Sequence, residues 1–369
     1  MFVVNNYALA VVFCFVTMLC WGSWGNTQKL ASKSWRYELF YWDYVIGMLL
    51  FSILSGFTLG SFGSEGRSFV ADLAQADWGG IGSVLLGGVV FNASNILLSA
   101  SVSLAGLAVA FPLGVGLALV LGVIVNYVGA PKGDPVILFL GVALIVIAIV
   151  LNGMASARQS GGVKSNSRKG VVLAAVAGVI MAFFYRFVAA AMDLDNFSDP
   201  TPGMMTPYSA LFVFSVGVLL SNFVFNTWVM RHPFDGAPVS YKAYFSGSLS
   251  THLVGVLGGA VWALGTAFSY IAAGKAGAAV SYALGQGAPM IAAIWGVFIW
   301  REFRGAGRSV KGLLACMFLL FIGGLALIII SGAKRLLSTG STNLNTAPEL
   351  DKPTPDIFAP VAFSAHTTP

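Results

Sequence analysis

Long apolar blocks, separated by short polar connections, fill the chain from Tyr7 to Ser331. A helix of about 20 apolar residues, rising ~1.5 Å per residue, matches the ~30 Å hydrocarbon core of a bilayer. The pattern therefore predicts an all-α polytopic membrane protein with ten transmembrane helices. The predicted spans are 7–25, 38–59, 78–99, 104–127, 135–154, 170–192, 207–229, 248–273, 276–300 and 309–331.

The second five predicted spans echo the first five. When the sequence is shifted by 171 positions, Gly87-Gly88 falls on Gly258-Gly259 and Leu113-Gly114 falls on Leu284-Gly285. An odd number of spans per half makes the second half enter the membrane from the opposite side, so the sequence predicts inverted repeats, an architecture typical of transporters. The alternative is that a composition rich in Gly and Ala produces these matches by chance. The predicted division is 1–160 for the first five-helix repeat, 161–335 for the second and 336–369 for a disordered tail.

Composition and motifs exclude several classes of protein. The chain is 57% hydrophobic and 9% charged, against about 25% charged in a typical soluble domain, so it lacks the charges to cover a water-exposed surface. The net charge of +6 resides in short connections, where it indicates topology rather than a nucleic-acid groove. No P-loop, HExxH or GxSxG motif occurs, so no enzyme and no cofactor is predicted. The cysteines lie in apolar segments and the histidines show no metal-ligand spacing, so no metal site is predicted and the histidines are expected to be solvated or in the core.

Basic residues concentrate in three connections, which a ten-span arrangement places on one side. Short loops rich in Lys and Arg stay on the cytoplasmic side. The sequence thus predicts a multi-pass protein of the plasma (inner) membrane with both termini outside, and its first apolar run, longer than the ~7–15 residues of a signal peptide, is expected to be a retained span. The basic residues are Lys29, Lys33, Arg36, Arg158, Lys164, Arg168, Lys169, Arg301, Arg304, Arg308 and Lys311.

Polar side chains inside the third and eighth spans are the first candidates for solute contacts. Asn92, Asn95 and Ser99 share one helical face in the third span. They are either the hydrogen-bonding wall of a solute cavity or polar groups that join neighbouring helices. The repeat-related face of the eighth span carries Trp262, Thr266 and Tyr270, which would supply stacking surfaces, or else form an ordinary packing stripe.

The fourth and ninth spans both contain helix-breaking residues, which mark the level of a binding site in transporters with repeated halves. The fourth span has Phe111-Pro112 followed by Gly114 and Gly116. In the ninth span Tyr282 precedes Gly285-Gln286-Gly287. Gln286 is the strongly polar side chain at this level and is predicted to bind the solute, together with Tyr282 and Phe111.

Four further residues have alternative interpretations. Asp43 is a carboxylate inside the second span and either couples transport to protons or pairs at the interface with Lys29 or Arg36. Arg186 lies inside the sixth span and holds the solute, pairs with a nearby acidic residue or extends to the membrane surface near Asp193. Trp21 and Trp24 belong to an interfacial aromatic belt or form a gate.

Short motifs, in order along the chain, resemble those of the ureide permease family within the drug/metabolite transporter superfamily. They span the membrane core, roughly from Tyr7 to Arg335. The motifs are Cys20-Trp21-Gly22-Ser23-Trp24, Asp43-Tyr44, Gly87-Gly88-Val89-Val90 with Asn95, Gly106-Leu107-Ala108-Val109, Asn126-Tyr127, and Trp295-Gly296-Val297 with Glu302 and Arg304.

The resemblance implies two inverted five-helix halves and a proton-driven carrier, and plant members of the family import allantoin-like ureides and nucleobases. The chain departs from the family in two places. It lacks the P-loop-like motif of the plant proteins' longer central loop, and Phe111 stands where the family pattern has a carboxylate, which bears on the substrate and the proton site.

The leading hypothesis is therefore a proton-coupled secondary transporter of a small polar solute, a ureide- or nucleobase-like heterocycle. The alternatives are a sugar permease, because the rhamnose-transporter and glucose/ribose-porter families share similar glycine-rich hairpins, or a multidrug or metabolite exporter, which the many aromatic and methionine side chains would suit.

Overall fold

A computed structural model describes residues 1–31, 35–105, 107–159, 167–234, 236–301 and 303–345. The described residues form helices joined by short connections, with one isolated β-bridge between Met192 and Met205. The helices are α1 (Tyr7–Ser23), α2 (Gly25–Ala31), α3 (Tyr37–Phe57), α4 (Phe69–Gln75), α5 (Trp78–Ala105), α6 (Leu107–Gly129), α7 (Pro135–Gln159), α8 (Ser167–Ala189), α9 (Pro207–Arg231), α10 (Tyr241–Phe245), α11 (Leu249–Ala276), α12 (Ala278–Gly285), α13 (Ala288–Ile294), a π-helical turn (Trp295–Ile299) and α14 (Arg308–Asn345).

The predicted spans correspond to these helices. Nine helical segments of the described part are long and apolar enough to cross a membrane. The fourth predicted span coincides with α6, whose described side chains begin at Leu113. The protein is therefore an all-α polytopic membrane protein, as the apolar pattern predicted.

Local sequence signals explain where several helices begin and turn. Asn6 caps α1 by accepting a hydrogen bond from the backbone N–H of Leu9. Pro207 occupies the first turn of α9, where its missing N–H costs nothing. The single residue Gly277 joins α11 to α12 with a φ of 82°, a conformation that favours glycine.

The ninth span is broken in the middle and irregular at its end. Helix α12 ends at Gly285, Gln286 and Gly287 separate it from α13, and α13 continues into the π-helical turn. Breaks of this kind are found in transporter helices near binding sites. The predicted break at Gln286 is thus a feature of the structure.

Helix packing repeats when the two halves are exchanged. Helix α5 packs against α8 and α9, and α11 packs against α1 and α3. Helix α6 packs against α8, and α12 with α13 packs against α1. We propose, on this correspondence, that residues 1–160 and 161–335 are the two inverted repeats; the boundary itself lies outside the described residues.

Glycines at repeat-related positions make the closest helix contacts. A Cβ on Gly88 of α5 would collide with the carbonyl oxygen of Phe214 in α9, and a Cβ on Gly259 of α11 would collide with that of Tyr44 in α3. The two glycines are 171 positions apart and the two carbonyls 170 apart. Small residues that let backbones approach are the usual basis of helix association in membranes.

Two short helices that the sequence analysis did not predict occupy corresponding positions in the two halves of the chain. Helix α4 precedes α5, and α10 precedes α11. Asp72 of α4 is fully buried, pairs with Arg67 (Nε–Oδ1 3.0 Å), and accepts a hydrogen bond from the backbone N–H of Thr206. Helix α4 is thereby fixed to the start of α9.

The basic connections meet at one end of the bundle, which we call the basic end. The Lys29 ammonium lies 4.4 Å from the centroid of the Trp300 ring. The Arg158 guanidinium donates to Ser309 Oγ at 2.6 Å. The described parts of the three connections, at Lys29, Arg158 and 300–309, are therefore neighbours. Helix α14 continues to Asn345, beyond the predicted start of the tail, and residues 346–369 lie outside the described part.

Candidate functional site

Trp262 of α11 is the centre of an aromatic cluster deep in the bundle. Its ring stacks on that of Trp21 in α1, with centroids 5.8 Å apart and an interplanar angle of 11°. On other sides it contacts Phe91 of α5 at 4.5 Å, Phe214 of α9 at 6.0 Å and Tyr44 of α3 at 6.5 Å. The cluster joins helices from both halves of the chain.

A hydrogen bond fixes the two indoles relative to each other. Trp21 Nε1 donates to Thr266 Oγ1 at 3.1 Å, and Thr266 in turn donates to the Trp262 carbonyl. Trp24 lies one turn further along, its ring 4.9 Å from that of Tyr44. The predicted residues Trp21, Trp262 and Thr266 are thus brought together as one group.

The amides of α5 point to two different neighbours. Asn95 Nδ2 donates to the Tyr41 hydroxyl of α3 at 3.0 Å, whereas Asn92 Nδ2 donates to Ser221 Oγ of α9 at 3.0 Å. Ser99 donates to the carbonyl of Asn95 within its own helix. The predicted single wall is therefore divided. Asn95 reaches the aromatic cluster only through Tyr41, whose ring lies 5.4 Å from that of Tyr44. Asn92 joins α5 to α9.

A second aromatic group surrounds Tyr185 and includes Tyr270 and Tyr282. Gln286 lies one turn after Tyr282 in the chain. The rings of Tyr270 and Tyr282 are 5.3 Å and 5.4 Å from that of Tyr185 in α8. The Tyr282 hydroxyl donates to the Ala118 carbonyl of α6 at 3.1 Å. Gln286, in the break between α12 and α13, is 7% exposed. Phe214 lies 6.3 Å from Tyr270 and links this group to Trp262.

Asp43 is buried near the basic end, with donors from three directions. The Tyr244 hydroxyl of α10 donates to Oδ1 at 2.6 Å, His252 Nδ1 of α11 lies 2.8 Å from the same oxygen, and Trp35 Nε1 donates to Oδ2 at 3.3 Å. The Asp43 side chain is 2% exposed and that of His252 is 22% exposed. Burial, and then the hydrogen bond to Asp43 and its charge, raise the pKa of Tyr244, so this phenol remains a donor at physiological pH.

The predicted alternative partners of Asp43 are engaged elsewhere. Arg36 forms a salt bridge with Glu38 and contacts the Ala237 carbonyl, and Lys29 lies over Trp300. The partner is instead His252, which sequence reasoning assigned to solvent or core. Its separation of 209 residues from Asp43 leaves no local signal for the pair.

Arg186 is half-buried at the end of α8, and its guanidinium lies against the backbone of Gly129. Gly129 is the last residue of α6, where the helix dipole favours a cation. The role of Arg186 stays a prediction. The side chain of Phe111 lies outside the described part.

Asn222 was missed by the sequence analysis. It is fully buried in α9, directly after Ser221, and neither polar atom of its amide has a hydrogen-bond partner among the described residues. The Oδ1 of Asn92 and the hydroxyls of Tyr44 and Tyr270 are likewise buried without a partner there. An unsatisfied buried polar group costs about 1–3 kcal/mol, so each needs a reason. An amide inside an apolar span was the available signal for Asn222.

The candidate site is closed in this conformation. Trp262, Asn95 and Gln286 are each at most 7% exposed, and Thr266, Tyr270 and Tyr282 are fully buried. Two hollows of the described part lie elsewhere, an open recess of about 370 Å³ at the basic end and a small one of about 30 Å³ near residues 194–198.

The sequence model of the ureide permease family matches residues 40–168 and 158–331, which together cover most of the chain. The chain belongs to the ureide permease family. As a member it is a membrane transporter and not an enzyme.

Relatives agree with this family assignment over nearly the whole length. Ureide permease 2 of Arabidopsis thaliana is 25% identical over 402 residues, which cover 91% of this chain and 100% of that protein. Ureide permease 1 of the same plant is 23% identical over 394 residues, with the same coverage. A probable glucose uptake protein, GlcU of Priestia megaterium, is 26% identical over 235 residues, 62% of this chain and 71% of that protein.

A solved crystal structure shares the fold of this permease. It superposes with a TM-score of 0.57 and covers 90% of this chain and 99% of its own. At 16% sequence identity this likeness shows the architecture alone.

Proposed function

We propose that the protein is a secondary transporter of a neutral, planar, polar heterocycle of the ureide or nucleobase type. The observation that carries the proposal is the Trp21–Trp262 indole stack, with Thr266 bonded to Trp21. The Asn95 amide is linked to the same cluster through Tyr41, whose ring lies 5.4 Å from that of Tyr44. Indole faces bind planar rings, and amide and hydroxyl groups bind their carbonyl and N–H edges. The names of the ureide permease relatives support the same class of solute.

The closed centre fits a carrier that opens alternately to each side. The solute would separate Trp21 from Trp262, and the partnerless polar atoms of Tyr44, Tyr270 and Asn222 would gain hydrogen bonds to solute or water. Rocking of one half against the other would then move the opening from one face to the other. Gln286, at the break in the ninth span, would change position as the two halves rock.

We further propose that Asp43 and His252 take up and release the coupled proton. The Asp43 and His252 side chains form an acid–base pair 2.8 Å apart, in which the carboxylate is buried. A buried carboxylate needs hydrogen-bond donors or a neighbouring cation, and an imidazole can supply either one. The groups facing Asp43 are Tyr244 from α10, His252 from α11 and the neutral Trp35 before α3.

The grouping of basic connections at one end supports the predicted orientation. On the positive-inside rule the basic end faces the cytoplasm and both termini face outside, in a plasma (inner) membrane. A protease that cuts an exposed N-terminal tag on intact cells would agree with this orientation, whereas a tag protected until lysis would contradict it.

Uptake into proteoliposomes tests the substrate class. Labelled allantoin, uracil and glucose are offered with an inward proton gradient, to the wild type and to Trp262→Ala. We expect accumulation of a ureide or nucleobase, and at least about tenfold weaker uptake by the variant, because ring stacking contributes ~1–3 kcal/mol.

Trp228→Ala is the matched control, since that indole is 53% exposed, on α9. Trp262→Phe keeps a stacking surface if the alanine variant folds poorly. Equal uptake by wild type and a correctly folded Trp262→Ala variant would contradict the proposed site.

A sugar permease is the second candidate, favoured by the similarity to the probable glucose uptake protein. An aromatic face flanked by amides also suits a pyranose. Accumulation of glucose without any ureide or nucleobase would decide for it.

A further inference from the structure

An open recess of about 370 Å³ lies at the basic end, between the ninth and tenth spans. Its lining is half cationic and half apolar: Arg301, Arg304 and Lys311 with Val297, Phe303 and Leu314. The connection 301–311 carries four basic residues and Glu302, so the formal charge of this connection is +3. The position of Glu302 is outside the described residues. The recess is therefore electropositive however that carboxylate is placed.

The backbone beside the recess is irregular at two places close together in the chain. The ninth span ends in the π-helical turn Trp295–Ile299, and Arg301 has a φ of 53°. Among the described residues Arg301 is the non-glycine residue with positive φ. π-helical turns and left-handed non-glycine residues cost free energy and are concentrated at functional sites.

Lipid-facing apolar side chains continue directly from the recess. Phe298 and Ile299 are 62% and 60% exposed, and Leu319 on α14 is 70% exposed. The Phe298 ring lies 6.4 Å from that of Phe318, so this apolar surface bridges the two spans. Trp300, whose Nε1 donates to Asn26 Oδ1, marks the interface level where headgroups lie.

We propose that this recess binds the headgroup of an anionic phospholipid. The three cations would hold the phosphate, and guanidinium groups do so with paired hydrogen bonds. Val297 and Leu314 would contact the glycerol backbone, and the acyl chains would lie along Phe298, Ile299 and Leu319. A free phosphate would use the cations but not this apolar continuation, which favours the lipid as the source.

The bound lipid would fix the end of the broken ninth span. That span carries Tyr282 and Gln286, and its π-helical turn ends at the recess. Loss of the lipid would therefore lower the rate of transport without removing the solute site. The proposed lipid site does not depend on which solute is carried.

The proposal is tested by native mass spectrometry of the full chain, released from nanodiscs that contain phosphatidylglycerol and phosphatidylcholine. We expect one phosphatidylglycerol to remain bound to the wild type. In the triple variant Arg301→Gln, Arg304→Gln, Lys311→Gln, the affinity should fall at least about tenfold, because basic side chains at the surface each favour anionic lipid.

The control removes three other positive charges near the same end: Arg168→Gln, Lys169→Gln, Arg231→Gln. It should retain the lipid, and the conservative pair Arg301→Lys, Arg304→Lys should retain most of it. Equal binding of phosphatidylcholine, equal loss in the control, or full displacement of the lipid by inorganic phosphate at millimolar concentration would each overturn the proposal.

Discussion

Asp43 is a carboxylate buried inside an apolar span. It accepts from Tyr244 and Trp35 and pairs with His252 while its side chain is 2% exposed. Burial of a carboxylate is costly unless donors and a cation compensate it. The proposed coupling role accounts for that cost.

Asp43→Asn should uncouple transport from protons without abolishing it. The amide keeps the shape and one acceptor oxygen but cannot take up a proton at physiological pH. We expect accumulation against a gradient to be lost, while exchange of labelled for unlabelled solute persists. Normal proton-driven accumulation by Asp43→Asn would contradict the role. His252→Gln should behave in the same way, and His232→Gln is the matched control.

Tyr244→Phe tests the hydrogen bond that the Tyr244 hydroxyl donates to Asp43. The pKa of Tyr244 is raised, by burial and then by the hydrogen bond to Asp43 and its charge, so the phenol itself remains protonated at physiological pH. Its loss removes a donor that favours the ionised form of Asp43, so uptake measured from pH 5 to 8 should fall and its pH profile should shift along the pH axis. A profile that keeps its position would contradict the proposed link between Tyr244 and the proton site.

Individual site residues were only partly accessible to sequence reasoning. Trp262 and Thr266 stood out because polar and indole groups inside an apolar span are costly and visible. His252 did not, because its role depends on Asp43, which is distant in sequence. Asn92 and Asn95 share a helical face, yet which neighbour each one meets is decided by the packing of α3 and α9 around α5.

Helix α5 packs against its neighbour through close backbone contact at a glycine, because the hydrophobic effect does not drive helices together inside a bilayer. Gly88 lies against the Phe214 carbonyl of α9, whereas nothing lies within 4 Å of a Cβ on Gly82, one and a half turns earlier. The repeat-related contact of Gly259 with Tyr44 has the same form. Close approach at these two positions fixes the spacing of the helices around Trp262.

Gly88→Val should destabilise the bundle by about 1–3 kcal/mol, the usual cost of overpacking a tight contact. Gly82→Val, on the same helix and exposed, should have little effect. Thermal unfolding of both variants in detergent measures the difference. Equal midpoints for the two would show that the contact does not determine the packing.

Long helices were predictable and short ones were not. Span length and hydropathy are imposed by the bilayer, so the observed helices begin or end within a few residues of most predicted positions. Helices α4 and α10 have seven and five residues, too few for an apolar period to emerge. Their position is set by tertiary contacts, such as the one between Asp72 and Thr206.

At the scale of the whole molecule, the described helices on both sides of the gap at 160–166 pack around the aromatic centre at Trp262. Exchange of the halves relates the packing of α5 on α8 and α9 to that of α11 on α1 and α3. The repeat in the sequence predicted this correspondence, since Gly87-Gly88 and Gly258-Gly259 mark it directly. The closed centre was not predictable, because a transporter sequence encodes several conformations and one structure displays one of them.

The proposed transport requires that the centre beside Trp262 opens to water and binds the solute. Thr266→Cys in a chain whose Cys14, Cys20 and Cys316 are replaced by Ala places one thiol there. In proteoliposomes that still transport, we predict that a membrane-impermeant thiol reagent modifies this cysteine from either side and that the transported solute slows the modification. A cysteine that remains unmodified during turnover, or is modified at the same rate with solute present, would contradict the central site.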